Sequence, residues 1–213
     1  MLYLTLLVPA LFAVLHARTG KYPLSASVTL SCLAIALLVC SSIFIPTAYA
    51  LSVVGDYFMA HSGGKNGDRM LLGGIVGFFL AHACFLAYAL RTAAVTSSWP
   101  LWTILGALLA VGYAVFLVKT LYPAIGERFL RIAATAYTGI SLCVMTASLF
   151  SAHPPLPKLL FSAGIAFILF SDTLIALSRF LGKSRVGRWI CPTYFACHIL
   201  IAASQIALQK ILG

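Results

Sequence analysis

The sequence is poor in charged residues, and above all in acidic ones. Four Asp and Glu stand against fourteen Lys and Arg in 213 residues, and charged residues make up 8% of the chain. A water-soluble domain carries about 25% charged residues, so this composition excludes a soluble fold. Hydrophobic residues make up 62% of the chain, and the mean hydropathy is +1.05. We therefore expect lipid to be the solvent of this protein.

The sequence also lacks the patterns of three other classes of protein. Its long apolar runs do not alternate with polar residues as barrel strands do, so helices must satisfy the backbone in lipid. Its six cysteines show no framework of loop spacings and are expected to be free, buried thiols. The net charge of +10 is spread between the apolar runs rather than gathered on one face. It therefore indicates membrane topology and no nucleic-acid partner.

A spanning helix needs about 20 apolar residues, and the chain is long enough for eight such segments with no soluble domain between them. Residues 1–213 are thus expected to form a single integral-membrane domain, an all-α, polytopic transmembrane helical bundle. Pro46 is expected to separate the second span from the third, because proline begins helices better than it continues them. The predicted spans are Leu2–His16, Leu24–Cys40, Pro46–Ala60, Met70–Leu90, Trp99–Lys119, Leu130–Phe150, Leu159–Ser178 and Trp189–Gln209.

The distribution of Lys and Arg predicts the orientation. The first, third, fifth and seventh connections carry eleven of these residues, whereas the other connections and the C-terminus carry three. The positive-inside rule places the first group in the cytoplasm and both termini on the other side. The expected location is a bacterial inner (plasma) membrane.

Two of the four acidic residues lie inside apolar segments. Asp56 is in ALSVVGDYFMA and Asp172 is in AGIAFILFSDTLIALSRF, whereas Asp68 and Glu127 have charged or glycine-rich neighbours typical of loops. An ionisable group in the hydrocarbon region costs at least a few kcal/mol, so such a residue usually has a function. Counted from the basic ends of their spans, both acids lie about 7 to 11 Å from the inner surface.

Other polar side chains reach a similar depth. Tyr137 and Tyr194 each lie six residues from an arginine at the inner end of their span, and His82 lies nearer the midplane. Further polar residues recur at helical spacing on the same spans. We therefore expect a cavity that is open toward the cytoplasmic leaflet.

Several stretches of the sequence resemble the YhhN family of lysoplasmalogenases. KYPLS at 21 to 25 is similar to a Lys-Pro-Leu-Thr stretch of that family, with one inserted residue, and the family usually has Gln where this chain has His198. The other matching stretches are GDYFMA at 55 to 60, GIVGFFLAHACFLAY at 74 to 88, AYTGISLCVM at 136 to 145, AGIAFILFSDTLIALSRF at 163 to 180, and TYFACHILIA at 193 to 202.

The resemblance implies a reaction. The family cleaves the vinyl ether bond of lysoplasmalogens, which releases a fatty aldehyde and glycerophosphoethanolamine or glycerophosphocholine. The implied partners are a lysophospholipid substrate and the surrounding membrane lipids, and no cofactor or metal is expected.

A vinyl ether hydrolyses through protonation of its β carbon, followed by capture of the resulting oxocarbenium ion by water. Two carboxyl groups with different protonation states can perform both steps, as in glycosidases. Asp172 has the more apolar surroundings, which favour a protonated acid, and Asp56 is the candidate for the ionised partner; the reverse assignment remains open. Substrate-binding or positioning roles are predicted for Lys21, which would face the phosphate, and for His82, Tyr137, Ser171, Tyr194 and His198.

Three other functions compete with this one. A zinc hydrolase needs about three protein ligands, but only His82 and His198 lie well inside spans. A proton-coupled transporter also uses buried acids but commonly shows repeats, which we do not find. A serine hydrolase of ester lysolipids would use Ser171, yet the sequence has no Gly-x-Ser-x-Gly around it.

Overall fold

This computed structural model describes residues 2–63, 67–93 and 101–212, and for 101–103, 105 and 212 it describes the backbone alone. The described residues form eight helices. Over these residues the only extended pairing is a single bridge between Ala93 and Ser151. The helices are α1 (Leu7–Thr19, after a 3-10 helix at Leu2–Leu6), α2 (Tyr22–Val39), α3 (Phe44–Ala60), α4 (Gly67–Arg91), α5 (Leu101–Phe116), α6 (Arg128–Leu149), α7 (Pro155–Phe180) and α8 (Ile190–Leu212, after a 3-10 helix at Ser184–Trp189).

Most of these helices are able to span a membrane. Seven helical segments among the described residues are long and apolar enough to do so. The exception is α3, whose 17 residues extend about 26 Å at 1.5 Å per residue, slightly less than the hydrocarbon core. The prediction of an all-α transmembrane bundle is confirmed, and the chain is an integral membrane protein.

Several predicted helix boundaries were wrong by a few residues. The break before α3 lies at residues 40–43, and Pro46 sits in the first turn of α3, where its missing N–H is not needed. In the same way α2 and α7 begin earlier than predicted, with prolines in their first turns. The fifth helix continues past Lys119 through a π-helical turn at Leu117–Leu121 and a last turn at Tyr122–Ala124. Its predicted start at Trp99 lies outside the described residues.

The main core lies between α2, α3, α4, α6, α7 and α8. Its largest fully buried side chains include Tyr49, Phe85, Phe161 and Ile201. The six cysteines are free thiols, as predicted, but the expectation that they are buried was wrong for most of them: only Cys32 and Cys197 are fully buried, and Cys143 is exposed.

Glycines allow the helices of this core to approach closely. A Cβ atom on Gly77 of α4 would lie 3.0 Å from the Cα of Gly55 of α3, and one on Gly164 of α7 would lie 2.6 Å from the side chain of Ile201 of α8. These close contacts lie on the helices that carry the two acids: Gly55 directly precedes Asp56, and Gly164 lies about two turns before Asp172 on α7.

Candidate functional site

The two acids of the spans come together in one cavity. Asp56 on α3 and Asp172 on α7 both line a cavity of about 760 Å³. It extends to the end of the bundle where α1, α3 and α7 end and α2 and α8 begin. This end carries the first, third and seventh connections. Its wall consists of His16, Gly20, Tyr22, Ser25, Asp56, Met59, Ala60, Ser62, Phe78, Asp172, Ile175, Ser178, Arg179, Ile190, Cys191 and Tyr194.

Asp56 is held by a hydroxyl group from α2. The Thr29 side chain donates to Oδ2 of Asp56 at 2.8 Å, and Thr29 itself is fully buried. Asp56 is also nearly buried, with 9% of its surface exposed. The Tyr194 hydroxyl lies near Asp56 but does not meet hydrogen-bond geometry with any described residue. One oxygen of Asp56 is therefore fixed by Thr29, and the carboxyl group remains part of the cavity wall.

Asp172 is held by a phenol group from α6. Tyr137 donates to Oδ2 of Asp172 at 2.5 Å. The 2.5 Å distance between Tyr137 and Asp172 is at the short end of O–H···O hydrogen bonds. The next residue along α7, Thr173, forms a hydrogen bond of 2.8 Å with the Tyr113 hydroxyl of α5, so the bond from Tyr137 is not shared with Thr173. The bond from Tyr137 fixes the orientation of the Asp172 carboxyl group.

A second, smaller cavity adjoins the first and is almost entirely apolar. Its volume is about 70 Å³, and it lies between α4, α5, α6 and α7. Leu71, Leu121 and Leu169 are among the side chains of its wall. Met59, Phe78, Asp172 and Ile175 line both cavities. Asp172 therefore lies where the larger cavity, which is the more polar of the two and is called the polar chamber below, meets the smaller, apolar chamber. Asp56 lines the polar chamber alone.

His82 and His198 lie behind this site rather than on its wall. Nδ1 of His82 donates to the Phe78 carbonyl at 2.8 Å, and the His82 ring packs edge-on against Tyr137 with centroids 5.1 Å apart. The His198 ring packs edge-on against Tyr194 at 4.4 Å. Each histidine thus supports one of the tyrosines nearest the acids, and neither lines either cavity.

Two other residues predicted for the site lie away from the cavity. The Ser171 hydroxyl is fully buried and donates to the Ile190 carbonyl at 3.2 Å, which ties α7 to the start of α8. Ser171 and Asp172 are neighbours, but successive side chains point about 100° apart around a helix. Lys21 is exposed just before α2 and is not part of the cavity wall. The structure therefore brings together Asp56, Asp172, Tyr137 and Tyr194, and leaves Ser171 and Lys21 outside.

Thr29 and Arg179 are among the polar residues of this region that the sequence pattern did not indicate. A threonine inside an apolar span gives no signal, because its hydroxyl commonly bonds a carbonyl of its own helix, as those of Thr47 and Thr146 do here. Arg179 entered the sequence analysis only as one of the charges that set the topology.

No cluster of metal ligands is found in the part of the chain that the structure describes. There, no group of three or more His, Cys, Asp or Glu side chains is placed to hold one ion. His82 and His198 each face an aromatic ring, and the two acids are held by hydroxyl groups. The site consists of two oriented carboxyl groups and two tyrosines.

Comparison with known proteins gives one match. The sequence model of the YhhN family matches residues 22–205, a range that includes both acids, the helices from α2 to α7 and most of α8. Comparisons with curated proteins and with solved structures gave no match.

Proposed function

The chain belongs to the YhhN family, and from the pair of acids in one cavity we propose that it hydrolyses the vinyl ether bond of lysoplasmalogens. The products are a fatty aldehyde and glycerophosphoethanolamine or glycerophosphocholine. The observation that supports this function best is the arrangement of Asp56 and Asp172, which line one cavity of about 760 Å³ inside a membrane protein. Two carboxyl groups on the wall of one cavity, each with its own hydroxyl partner, suit a reaction that needs an acid and a base together.

The two chambers suggest how the lipid lies. Its glycerophospho head group is polar and suits the larger chamber, whereas its hydrocarbon chain suits the apolar wall of the smaller one. The vinyl ether joins these two parts, so it belongs at their junction, where Asp172 lies. The smaller chamber holds only the first carbons of the chain, and the remainder lies in the membrane.

This placement assigns the roles of the two acids. The β carbon that accepts the proton belongs to the hydrocarbon chain, and Asp172 is the acid that borders the apolar chamber. Tyr137 occupies Oδ2 of Asp172, which leaves Oδ1 to carry the proton. Asp56 faces only the polar chamber, where water is available. We therefore assign the proton donor to Asp172 and the base that activates water to Asp56.

The reaction needs only the lipid, one water molecule and the two acids. Asp172 gives its proton to the β carbon, and the resulting oxocarbenium ion is captured by a water molecule whose proton passes to Asp56. The product is a hemiacetal. In its collapse Asp56 returns this proton to the departing glycerol oxygen, while Asp172 takes the proton of the hemiacetal hydroxyl. The aldehyde forms, and both acids regain their first protonation states.

The competing ester hydrolase has less support. Its nucleophile would be Ser171, but that hydroxyl donates to the Ile190 carbonyl and is fully buried away from the cavity. The proton-coupled transporter is not favoured by any contact of the two acids.

Substitution of the acids tests the proposal. Asp56→Asn and Asp172→Asn keep the size of each side chain and remove the acid, so each should lower kcat for aldehyde release by about 100-fold or more. The double variant should lower kcat by far less than the product of the two single effects, because both groups act on one transition state. Asp68→Asn, in the first turn of α4, is the matched control. Near-normal aldehyde release by either variant of the buried acids would show that its carboxyl group is structural.

A further inference from the structure

The wall of the polar chamber includes a single Lys or Arg side chain among the described residues, and it is Arg179. Arg179 lies in the last turn of α7, at the end of the bundle to which the chamber extends. His16 is the only other basic side chain on that wall. Lys21, the residue that the sequence suggested for the phosphate, does not line the chamber, whereas Arg179, which is exposed like Lys21, does.

We propose that Arg179 binds the phosphate group of the lipid and so restricts the site to single-chain ether lipids that carry a phosphate. This inference rests on the proposed function, since it concerns the same chamber, and it names the residue that selects the substrate class.

The Arg179 side chain is held in place by another part of the chain. Its Nη2 atom donates to the Ser62 carbonyl at 3.2 Å, just after the end of α3. A guanidinium group has five N–H donors in a planar fork that matches two oxygens of a phosphate. One of these donors is used on Ser62, and the others remain for an anion. The contact with Ser62 reduces the freedom that the side chain would lose on binding.

The spacing between Arg179 and Asp172 fits the lipid. The two residues are seven positions apart on α7, which is about two turns, so they lie on one face of the helix about 10.5 Å apart along its axis. In a lysoplasmalogen, seven bonds separate the β carbon of the vinyl ether from the phosphorus atom. An extended chain advances about 3.3 to 3.6 Å for every three bonds, so these seven bonds cover about 8 Å. A lipid with its β carbon beside Asp172 therefore brings its phosphate within reach of Arg179.

The electrostatics of the chamber also call for a cation at this place. Two carboxyl groups line the chamber, and an ionised Asp56 would repel a phosphate group. Arg179 is the side chain on the wall that offsets this repulsion at the end where the head group lies. A neutral ether lipid such as an alkylglycerol gains nothing from Arg179, so the preference between the two lipids measures its contribution.

Binding of two saturated ether lipids tests the proposal without any hydrolysis. Purified wild-type protein in detergent is titrated with a 1-O-alkyl lysophospholipid and with a 1-O-alkylglycerol of the same chain length, neither of which has a vinyl bond. The wild type should bind the lysophospholipid at least tenfold more tightly. Arg179→Gln should remove most of this preference and leave the affinity for the alkylglycerol unchanged, because only the phosphate contact is lost.

Matched variants identify the residue responsible. Arg179→Lys keeps the charge but not the planar fork, so it should retain a reduced preference for the lysophospholipid. If Arg179→Gln does not fold, Arg179→Lys is the variant that tests the phosphate contact. Lys183→Gln, three residues after α7 ends, and Lys21→Gln change exposed cations that do not line the chamber and should leave the preference at the wild-type value. The proposal is overturned if the wild type shows no preference, if neither Arg179 variant reduces it, or if Lys21→Gln removes it.

The binding experiment and the hydrolysis experiment can fail separately, so a failure of this inference is distinguishable from a failure of the proposed function. A wild-type preference that depends on Arg179, together with no aldehyde release from lysoplasmalogen, would leave the phosphate site standing and remove the hydrolase. Aldehyde release without any dependence on Arg179 would do the opposite.

Discussion

Replacement of Gly77 by alanine should disturb the helix contact that positions Asp56. A Cβ atom at residue 77 would lie 3.0 Å from the Cα and 3.1 Å from the nitrogen of Gly55, and 3.4 Å from the Leu51 carbonyl oxygen. Ordinary contacts of a Cβ atom begin at 3.4 Å, so α3 and α4 would have to separate by about 0.4 Å or more. Each of the crowded atoms belongs to the backbone and cannot rotate away. Overpacking of this kind costs about 1 to 3 kcal/mol, of which the higher helix propensity of alanine offsets about 1 kcal/mol.

The effect should appear in both stability and activity. Gly55 directly precedes Asp56, so a shift of α3 moves this carboxyl group relative to Thr29 and Asp172, and misplacement of a reacting group lowers kcat. Thermal unfolding of the detergent-purified variant measures the first effect, and aldehyde release from lysoplasmalogen measures the second. We expect a lower unfolding midpoint and a lower kcat for Gly77→Ala.

Gly139→Ala is the matched control for this prediction. Gly139 lies on α6, and a Cβ atom there would meet nothing within 4 Å. Alanine also has the higher helix propensity, by about 1 kcal/mol. The control should therefore be as stable as the wild type or more so. If Gly77→Ala unfolds at the same temperature as Gly139→Ala and keeps full activity, the close contact between α3 and α4 does not position Asp56.

Three smaller perturbations give further predictions. Thr29→Val removes the donor to Asp56 while keeping the shape of the side chain, and Tyr137→Phe removes the donor to Asp172. Thr29 bonds the ionised Asp56, and Tyr137 bonds Asp172, which becomes charged as it gives up its proton in the transition state. Hydrogen bonds to charged groups contribute about 1.5 to 3 kcal/mol, so each variant should lower kcat by roughly 10- to 100-fold in the aldehyde assay, and an unchanged kcat would contradict the role of that donor. Burial lowers the pKa of His153, in the connection between α6 and α7. The unfolded chain thus binds more protons than the folded one as the pH is lowered through about 6.5, so the protein loses stability as the pH falls. His153→Gln should lose less stability than the wild type between pH 7.5 and 5.5 in thermal unfolding, and an equal loss would refute this.

The sequence predicted the parts of the fold and of the site that depend on composition along the chain. Eight apolar runs of spanning length are visible without any structure, and so are two carboxyl groups within them. The counts from the basic ends also placed Asp56 and Asp172 at similar depth, and the structure brings them to one cavity. The predicted sidedness of the termini stays a prediction.

The features that depend on rotation about a helix axis could not be predicted. Ser171 is adjacent to Asp172 in sequence but bonds the start of α8, and Lys21 lies between two residues of the cavity wall in sequence but is not part of the wall. In the sequence Arg179 does not differ from the other Lys and Arg residues of the connections. Only its position on the chamber wall distinguishes it from them. The hydrogen bond from Thr29 to Asp56 depends on how α2 packs against α3, which the sequence does not show.

The most direct test of the account is the identity of the products. Purified protein is given a lysoplasmalogen and an acyl lysophospholipid in parallel, and the products are analysed by mass spectrometry, with the Asp56→Asn and Asp172→Asn variants beside the wild type. We expect fatty aldehyde and glycerophosphoethanolamine or glycerophosphocholine from the first lipid, no fatty acid from the second, and almost no aldehyde with either variant. Fatty acid from the acyl lipid with no aldehyde from the lysoplasmalogen would contradict the assignment of the two acids to vinyl ether hydrolysis.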